Sequence, residues 1–478
     1  MSGSRRPNFL FVITDQQRYD TIHALGFPHA ETPVLDRLVQ EGTAFTRAYV
    51  TAPSCAPSRA SLFTGLYPHS LGVLRNDDPW QHSWVEQLAA AGYRCVSVGK
   101  MHTFPYEVAA GFHERHVVEN KDRSNPKLPF LLDQWDKALA VQHMAKPDRR
   151  VHRQRPDYRD RLGAFEWELP EEMHADNFVA GLAKLWLDTY PRTGEPFFLQ
   201  VGFPGPHPPY DPTPRFIERF ADRDVPMPHD DPDDVAALPT PLQELRRDHL
   251  TVDHDGIVFL EDPTPEQQRR QRLYYLANVA MIDEQIGELL EALDRRGVLD
   301  DTVVIVTSDH GDCLGDHGLV QKWNMYEPSV HVPVIVRGPG VEAGQRLDGL
   351  VEHMDLGPTV LELAGVKPPA WMEARSLASA LRGEQWAGRS HAFSEHARDV
   401  ILTGTALMTM VRDEHLKLVE FVDSEEGQLF DLRSDPDEVR NRWDDAEYSE
   451  DKYRLLRVIA RWRAASALDS AAWSASTR

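Results

Sequence analysis

Polar side chains that could do chemistry follow four predicted strands, at the point where each strand ends. They are Asp15 and Gln16 after the apolar run from Asn8, Lys100 and His102 after the run from Tyr93, His207 after the run from Pro196, and Asp309 and His310 after the run from Thr302. Because ligands of doubly wound α/β proteins bind beyond the carboxyl ends of the strands, we expect these groups to meet at one edge of one sheet. Carboxylates there could hold a divalent cation, and lysines and histidines could neutralise an anionic ester.

Cys55 lies in the run Ser54-Cys55-Ala56-Pro57-Ser58-Arg59, which continues to Leu62-Phe63-Thr64-Gly65. This Cys-x-Pro-Ser-Arg string with Leu-x-Thr-Gly resembles the signature of type I sulfatases, which belong to the alkaline phosphatase superfamily. The resemblance implies that a formylglycine-generating enzyme oxidises Cys55 to formylglycine, whose hydrate is the nucleophile. A hydroxyl or thiol would leave an adduct that needs a second attack by water, whereas a geminal diol expels the sulfate and returns to the aldehyde. The alternative interpretation is a buried structural cysteine.

The resemblance extends from Asn8 to about Gly365 and implies a role for each matching residue. It implies that a divalent cation is held by Asp15, Gln16, residue 55, Asp309 and His310. It implies that the catalytic groups are residue 55, Arg59, Lys100, His102, His207 and Lys322. In the implied cycle Arg59 steadies the diol as an alkoxide and Asp309 assists its deprotonation. His207 or Lys322 then protonates the departing alcohol, and His102 deprotonates the second hydroxyl.

The identity of the cation depends on two substitutions in the pattern. Many sulfatases carry two adjacent aspartates where this chain has Asp15-Gln16, and asparagine is common where His310 stands. Calcium, the cation favoured here, prefers a cage of oxygen atoms, whereas an imidazole ligand better suits Mn²⁺. The sequence therefore predicts one divalent cation, Ca²⁺ or alternatively Mn²⁺.

Three functions remain open at this level. The leading hypothesis is hydrolysis of a small-molecule or oligosaccharide sulfate ester by a sulfuric ester hydrolase. The Asp15-Gln16 pair also resembles phosphonate monoester hydrolases, so the alternative is a phosphonate monoester or phosphodiester hydrolase with the same nucleophile. The string Gly99-Lys100-Met101-His102 resembles choline-sulfatase-like enzymes and favours sulfate. The third possibility is a non-catalytic binding protein in which Cys55 stays a thiol.

The order of predicted elements indicates an α/β fold, with a mostly parallel sheet between helices and an alkaline-phosphatase-like arrangement. Ser83 and Glu86 predict a capping box for the helix that ends near Gly92. We predict a catalytic domain over residues 1–369, with insertions at about 113–172 and 222–262. Short alternating strands and a final Arg-rich helix predict a smaller antiparallel α+β subdomain over residues 370–478.

Composition limits the partners. The chain has 478 residues and a formal net charge of −23, which argues against a nucleic-acid partner and against an anionic membrane surface. Its 3 cysteines are too few for a disulfide framework. The first residues show no signal-peptide pattern and no apolar run has the length of a membrane span, so we expect a cytoplasmic location. A homo-oligomer is compatible with the sequence.

Overall fold

A computed structural model describes residues 6–119, 133–190 and 194–476, with side chains described up to residue 468. The strands are β1 Asn8–Asp15, β2 Thr43–Phe45, β3 Ala48–Tyr49, β4 Arg94–Gly99, β5 Glu114–Val117, β6 Phe197–Pro206, β7 Thr302–Ser308, β8 Val334–Arg337, β9 Gln345–Leu347, β10 Val351–Glu352, β11 Ala392–Ala397, β12 Leu407–Arg412, β13 Leu416–Phe421 and β14 Gly427–Asp431. The α-helices are α1 Pro33–Glu41, α2 Cys55–Thr64, α3 Pro68–Leu71, α4 Val85–Ala90, α5 Gln134–Val141, α6 Arg149–His152, α7 Tyr158–Arg161, α8 Ala175–Thr189, α9 Pro214–Phe220, α10 Pro232–Ala236, α11 Thr240–Thr251, α12 Pro265–Arg295, α13 Glu327–Val330, α14 Leu356–Leu363, α15 Ala378–Leu381 and α16 Ser449–Ser476.

Eight strands form the central sheet in the order β5-β4-β6-β1-β7-β8-β2-β9. The first five run parallel to one another, β8 runs antiparallel to both of its neighbours, and β2 and β9 are parallel to each other. The prediction of a mostly parallel sheet between helices is therefore confirmed.

Strand β1 is buried on both faces because its alternate side chains enter two different cores. Leu10 and Val12 pack on the side of α8 and α12. Phe9, Phe11 and Ile13 pack on the other side, against residues of α2, α4 and α14. A strand buried on both faces reads as a continuous apolar run, which is the pattern of this segment.

The C-terminal part contains a separate four-stranded antiparallel sheet in the order β11-β12-β13-β14, confirming the predicted class of this region. Its outer face packs against α16 through Leu455 and Ile459, which lie in one core with Leu418 and Leu429. Its other face, with Met410 and Val419, lies in one core with residues of α11 and of the segment before α13.

The predicted insertion at 113–172 begins with β5, a strand of the central sheet, and the remaining described residues of both predicted insertions form short helices connected by loops. Helices α5, α6 and α7 lie within residues 113–172, of which residues 120–132 are outside the described residues, and α10 and α11 lie within residues 222–262. The two insertions contact each other through ion pairs, with Arg149 and Asp255 at 3.3 Å and a further pair between Arg153 and Asp253. The basic stretch from Lys146 to Arg155 in the first insertion therefore has acidic partners in the second insertion.

The capping box predicted from Ser83 and Glu86 is wrong. Helix α4 begins at Val85 and has no side-chain cap in this arrangement. The Ser83 hydroxyl donates to the carbonyl of Ala110 at 2.6 Å, and the Glu86 carboxylate lies 2.9 Å from His82. The Ser83 hydroxyl oxygen accepts from the Val85 amide at 3.1 Å, not from the Glu86 amide, so the reciprocal pair of a capping box does not form.

Gly99 ends β4 immediately before Lys100 and has φ +92°. Its Cα faces Gly202 of the neighbouring β6, and a Cβ atom there would collide with the carbonyl oxygen of Gly202. The close approach of β4 to β6 therefore requires glycine at this position.

We predict that Gly99→Ala lowers the free energy of unfolding by roughly 2–5 kcal/mol, because it adds left-handed backbone strain and overpacking between two strands. Chemical denaturation measures this change. Gly181→Ala, within α8 and with open space around it, is the matched control and should leave stability unchanged or slightly higher. Equal stability of the two variants would contradict the steric argument.

Candidate active site

The strand ends bring the predicted polar groups together. Asp15 ends β1, Lys100 follows β4 and Asp309 follows β7, and these strands lie in one half of the sheet, separated only by β6. The side chains of Asp15, Asp309 and Lys100 are at most 2 % exposed. The edge of the sheet that the sequence indicated is thus a buried polar site.

Cys55 is the first residue of α2 and is buried in the centre of this site. Its Sγ lies 3.2 Å from Nε2 of His310, 3.1 Å from Nζ of Lys322 and 3.7 Å from Oδ1 of Asp15. This sulfur marks the place that the oxygens of a hydrated formylglycine would occupy. Asn76 holds the start of the helix, because its Oδ1 accepts hydrogen bonds from the Ala56 amide and the Ser54 hydroxyl, both at 3.0 Å.

Four donors form a group that fits a metal ion. One ligand atom each from Asp15, Cys55, Asp309 and His310 lies within 4.8 Å of all the others, and all four residues are buried. The Nδ1 of His310 lies 3.0 Å from the Gly311 carbonyl, an arrangement in which Nδ1 donates and Nε2 keeps its lone pair toward the group. Burial lowers the pKa of His310 to about 4, so the imidazole is neutral as a ligand must be. The donor set of two carboxylates, one imidazole and residue 55 therefore suits a divalent cation.

Gln16 lies beside this group. Its backbone amide donates to Oδ1 of Asp309 at 3.0 Å, and its side-chain Oε1 accepts from Nζ of Lys322 at 2.9 Å. The same lysine contacts Cys55, so the Gln16 oxygen lies at the edge of the donor group as a ligand would.

Arg59, Lys100 and Lys322 are the three cations near the carboxylates of Asp15 and Asp309. Arg59 donates from Nε to Asp309 at 2.6 Å and from Nη1 to the Lys100 carbonyl at 2.8 Å, and Lys100 forms an ion pair with Asp15. Burial opposes ionisation of Asp15, but Lys100 and the neighbouring cations hold its pKa well below the usual range. Arg59 similarly lowers the pKa of Asp309 against the effect of burial. Among the described residues the buried Nη2 of Arg59 has no hydrogen-bond partner, so it is available to a ligand.

Unmodified Cys55 is a poor nucleophile in this environment. Burial, with a further contribution from Asp15, raises the pKa of its thiol to about 11. Lys100 and Lys322 act in the opposite direction but do not overcome these effects. Since the thiolate is the reactive form, the site does not activate Cys55 as a thiol.

The structure shows side-chain contacts for His207 and backbone hydrogen bonds for His102. His207 lies with Nδ1 2.8 Å from the Pro208 carbonyl and Nε2 3.6 Å from Asp255, and burial together with Lys322 lowers its pKa to about 3. Burial lowers the pKa of Lys322, but Cys55 and the nearby carboxylates raise it above its usual value. At neutral pH Lys322 is therefore protonated, whereas its neighbour His207 is neutral. The His102 backbone amide donates to Glu119 at 3.1 Å, and its carbonyl accepts from Trp80 at 2.9 Å.

Sequence reasoning missed three polar residues of the site. Asp312 lies two residues after His310 and accepts from Gln16 Nε2 and from the Tyr210 hydroxyl, both at 2.6 Å. Its place in the same loop as Asp309 was the signal that could have found it. Asp255 lies in the acidic second insertion, where nothing distinguishes it from its neighbours, and Tyr210 is one of 13 tyrosines.

A group of ring side chains, Trp323, His249 and Phe259, packs next to Lys322. Trp323 has its ring 5.4 Å from the lysine Nζ, and the ring of His249 lies 5.8 Å from Trp323 and 6.5 Å from Phe259. Within the described part of the chain neither ring nitrogen of the buried His249 has a hydrogen-bond partner. Burial, with His254 contributing, lowers the pKa of His249 to about 3.

Comparison with known proteins identifies the class to which this fold and site belong. The family model "Sulfatase" matches residues 7–366, and the model "N-sulphoglucosamine sulphohydrolase, C-terminal" matches residues 315–465. The chain therefore belongs to the sulfatase family, within the alkaline phosphatase superfamily, and is a sulfuric ester hydrolase.

Individual relatives agree with this assignment. The chain is 29% identical to an arylsulfatase of Clostridium perfringens, with 95% of this chain and 94% of the relative covered. It is 30% identical to a choline-sulfatase of Rhizobium meliloti, with 91% and 82% covered. Its structure is similar to that of a phosphonate monoester hydrolase of Agrobacterium radiobacter, with a TM-score of 0.80, 26% identity and 96% of each chain covered. In the described ranges we find no helix with the length and apolar character needed to cross a membrane.

We predict that His249→Phe reduces the loss of stability on acidification. The pKa of His249 is about 3 in the folded state against 6.5 when unfolded, so the unfolded chain binds more protons between these values and stability falls as the pH falls. Between pH 7 and pH 5 the variant should lose about 2 kcal/mol less than the wild type. Denaturation at several pH values measures this difference.

His143→Phe is the control for this experiment, because the His143 side chain is exposed. It should show the wild-type dependence of stability on pH. If His249→Phe shows that same dependence, the buried neutral imidazole is not a source of acid sensitivity.

Proposed function

We propose that this protein hydrolyses sulfate esters with a formylglycine formed from Cys55. The observation that carries the proposal is the position of the Cys55 Sγ, which lies 3.7 Å from the Asp15 carboxylate, 3.2 Å from the His310 imidazole and 3.1 Å from the Lys322 ammonium in a buried site. An activated thiol would need a lowered pKa, and the pKa here is raised. The family motif and this geometry together support conversion of residue 55 by a formylglycine-generating enzyme.

A divalent cation, Ca²⁺ or Mn²⁺, would act as a Lewis acid here and lower the pKa of the nucleophilic hydroxyl. The residues that would hold it are Asp15, Gln16, Asp309 and His310, together with residue 55. The low pKa of each aspartate keeps both carboxylates ionised for this purpose.

Three cations would neutralise the sulfate group. Lys322 contacts residue 55, and Lys100 pairs with Asp15. The Nη2 of Arg59 lies 3.9 Å from Asp15 Oδ2 and has no hydrogen-bond partner among the described residues. Fixed donors that meet negative charge in a dry site stabilise the transition state without reorganisation. Arg59 would in addition steady the ionised hydroxyl of residue 55.

Proton transfer would involve four groups. Asp309 would assist deprotonation of the nucleophilic hydroxyl, and His102 would take the proton of the second hydroxyl as the aldehyde returns. Lys322 is the favoured donor to the departing alcohol because it is protonated at neutral pH, whereas the His207 imidazole is neutral. His207 would then orient the alcohol by accepting a hydrogen bond at Nε2.

The alcohol part of the substrate would be a small molecule or an oligosaccharide. Relatives with comparable coverage include the arylsulfatase, the choline-sulfatase and an N-acetylglucosamine-6-O-sulfatase of Bacteroides thetaiotaomicron. The two insertions would contact this part, because their ion pair Arg149–Asp255 lies next to His207.

A second candidate function is hydrolysis of phosphonate monoesters. The similarity to the phosphonate monoester hydrolases of Agrobacterium radiobacter and Silicibacter pomeroyi, at TM-scores of 0.80 and 0.79, favours it. Phosphonate and sulfate monoesters are both tetrahedral monoanions, so the three cations would meet the same charge in either. They differ in that sulfur carries three terminal oxygens, whereas phosphorus carries two and a carbon substituent.

We predict that Cys55→Ala lowers kcat/KM by on the order of 10⁴-fold or more, since it removes the nucleophile, while the melting temperature changes little. In wild-type protein made with the maturation enzyme, mass spectrometry of the tryptic peptide 48–59 should show an aldehyde in place of the CH₂SH group. Cys95→Ala, at a buried cysteine of β4 far from the cation group, is the control and should keep the turnover. An active wild-type protein with an unmodified thiol would contradict the proposal.

Parallel assays with a nitrophenyl sulfate and a phenylphosphonate monoester separate the two functions. We expect a kcat/KM for the sulfate ester that is at least about tenfold higher, which corresponds to about 1.4 kcal/mol of transition-state discrimination. Higher activity on the phosphonate would reverse the order of the two candidates.

A further inference from the structure

The backbone of Gln16 is fixed on both sides. Its φ of +72° is unusual for a residue with a long side chain, and such a conformation persists only where the surroundings hold it. Its amide donates to Asp309 at 3.0 Å, and its carbonyl accepts from the Tyr275 hydroxyl at 2.7 Å. The orientation of the side-chain amide is therefore the main freedom left to this residue.

Two buried neighbours of opposite hydrogen-bonding character decide this orientation. On one side Oδ2 of Asp312 lies 2.6 Å from the amide, and on the other side Nζ of Lys322 lies 2.9 Å from it. An ionised carboxylate only accepts hydrogen bonds and an ammonium only donates them. The nitrogen Nε2 must therefore face Asp312, and the oxygen Oε1 must face Lys322 and the donor group.

Asp312 is itself held rigidly. Its Oδ1 accepts from the Leu314 amide at 3.0 Å, and its Oδ2 also accepts from the Tyr210 hydroxyl at 2.6 Å. The Asp312 carbonyl accepts from Arg18 at 3.2 Å. Asp312 is fully buried and Tyr210 is 1% exposed, so bulk water does not compete for these hydrogen bonds.

We propose that Asp312 is a positioning residue that turns the oxygen of Gln16 toward the divalent cation, and that Tyr210 fixes Asp312 in this role. The inference rests on the proposed cation site. A carboxylate that accepts from an amide N–H also polarises the amide and makes its oxygen a stronger donor to a cation. Because of its hydrogen bond to Asp312, the neutral Gln16 would bind a cation more strongly, closer to the strength of a second carboxylate beside Asp15.

Asp312→Asn tests this arrangement without changing the size of the side chain. Since Oδ1 must still accept from Leu314, the new NH₂ group replaces Oδ2 and meets the NH₂ group of Gln16. If the glutamine amide keeps its orientation, two NH₂ groups face each other without an acceptor; if it rotates, Nε2 faces the Lys322 ammonium and the cation, and neither accepts a hydrogen bond. Either arrangement weakens the binding of the cation by Oε1. In Asp312→Asn combined with Gln16→Glu, the asparagine NH₂ donates to the new carboxylate, whose second oxygen again faces the cation. The pair then has its original total charge.

The experiment is calorimetric titration of CaCl₂ and of MnCl₂ into chelator-stripped protein, which does not depend on turnover. We expect Asp312→Asn to raise the Kd by about 10–100-fold, the usual effect of losing a hydrogen-bond partner of a ligand. The double variant should recover to within a few-fold of the wild type, and Tyr210→Phe should show a smaller loss. Without cation the three variants should melt near the wild-type temperature, which distinguishes positioning from general destabilisation.

Two results would overturn the inference alone: wild-type affinity in Asp312→Asn, or a double variant that binds no better than Asp312→Asn. A wild-type protein that binds neither ion would instead remove the cation site of the proposed function, and the inference with it. The two failures are therefore distinguishable from the same titrations.

Discussion

Burial of opposite charges in direct contact is the constraint on which this structure depends. Asp15 and Asp309 are fully buried, and they stay ionised only because Arg59, Lys100 and Lys322 contact them or lie next to them. Removal of one partner from such a cluster leaves an uncompensated charge in a low-dielectric interior, which typically costs about 3–5 kcal/mol. The site must therefore be assembled as a whole, and the scaffold must hold each charge in place.

The scaffold holds each charge in place because the charged residues are attached to the ends of strands or to a helix. The two carboxylates and Lys100 are attached to strand ends in a sheet that is packed on both faces. Cys55 and Arg59 lie one turn apart on α2, so the residue to be modified and its neighbouring guanidinium project from the same face of the helix. Every residue of α2 is buried, which explains why this helix lacks the polar stripe of a surface helix.

The C-terminal sheet also supports the site. Lys417 of β13 is completely buried and pairs with Glu327 at 3.0 Å and with Glu438. Glu327 begins α13, five residues after Lys322, and it also accepts from the Tyr49 hydroxyl at 2.8 Å. The loop that carries Lys322 is thus held between the catalytic sheet and the C-terminal sheet, which gives the smaller sheet a part in positioning the site.

Much of the fold could be predicted from the sequence because its determinants are local. The continuous apolar runs indicated strands buried on both faces, and the predicted strand from Thr302 to Ser308 coincides with β7. A long amphipathic pattern runs from about Glu266 to Arg296 and stops at Gly297, which predicts a helix; α12 begins at Pro265 with Thr264 as its cap. The convergence of Asp15, Lys100 and Asp309 followed from a general rule about strand ends, together with the string around Cys55.

Only the tertiary structure decided which partner each polar group meets. The Ser83 hydroxyl donates to the carbonyl of Ala110 and does not pair with Glu86, and Asp255 of the second insertion lies beside His207. The family resemblance in the sequence implied that Gln16 is a ligand of the cation, but its oxygen and nitrogen are distinguished only by Lys322 and Asp312, about three hundred positions away. The physical reason is that hydrogen bonds and ion pairs depend on distances between atoms that the chain brings together late, whereas strands and helices follow from periodicity along the chain itself.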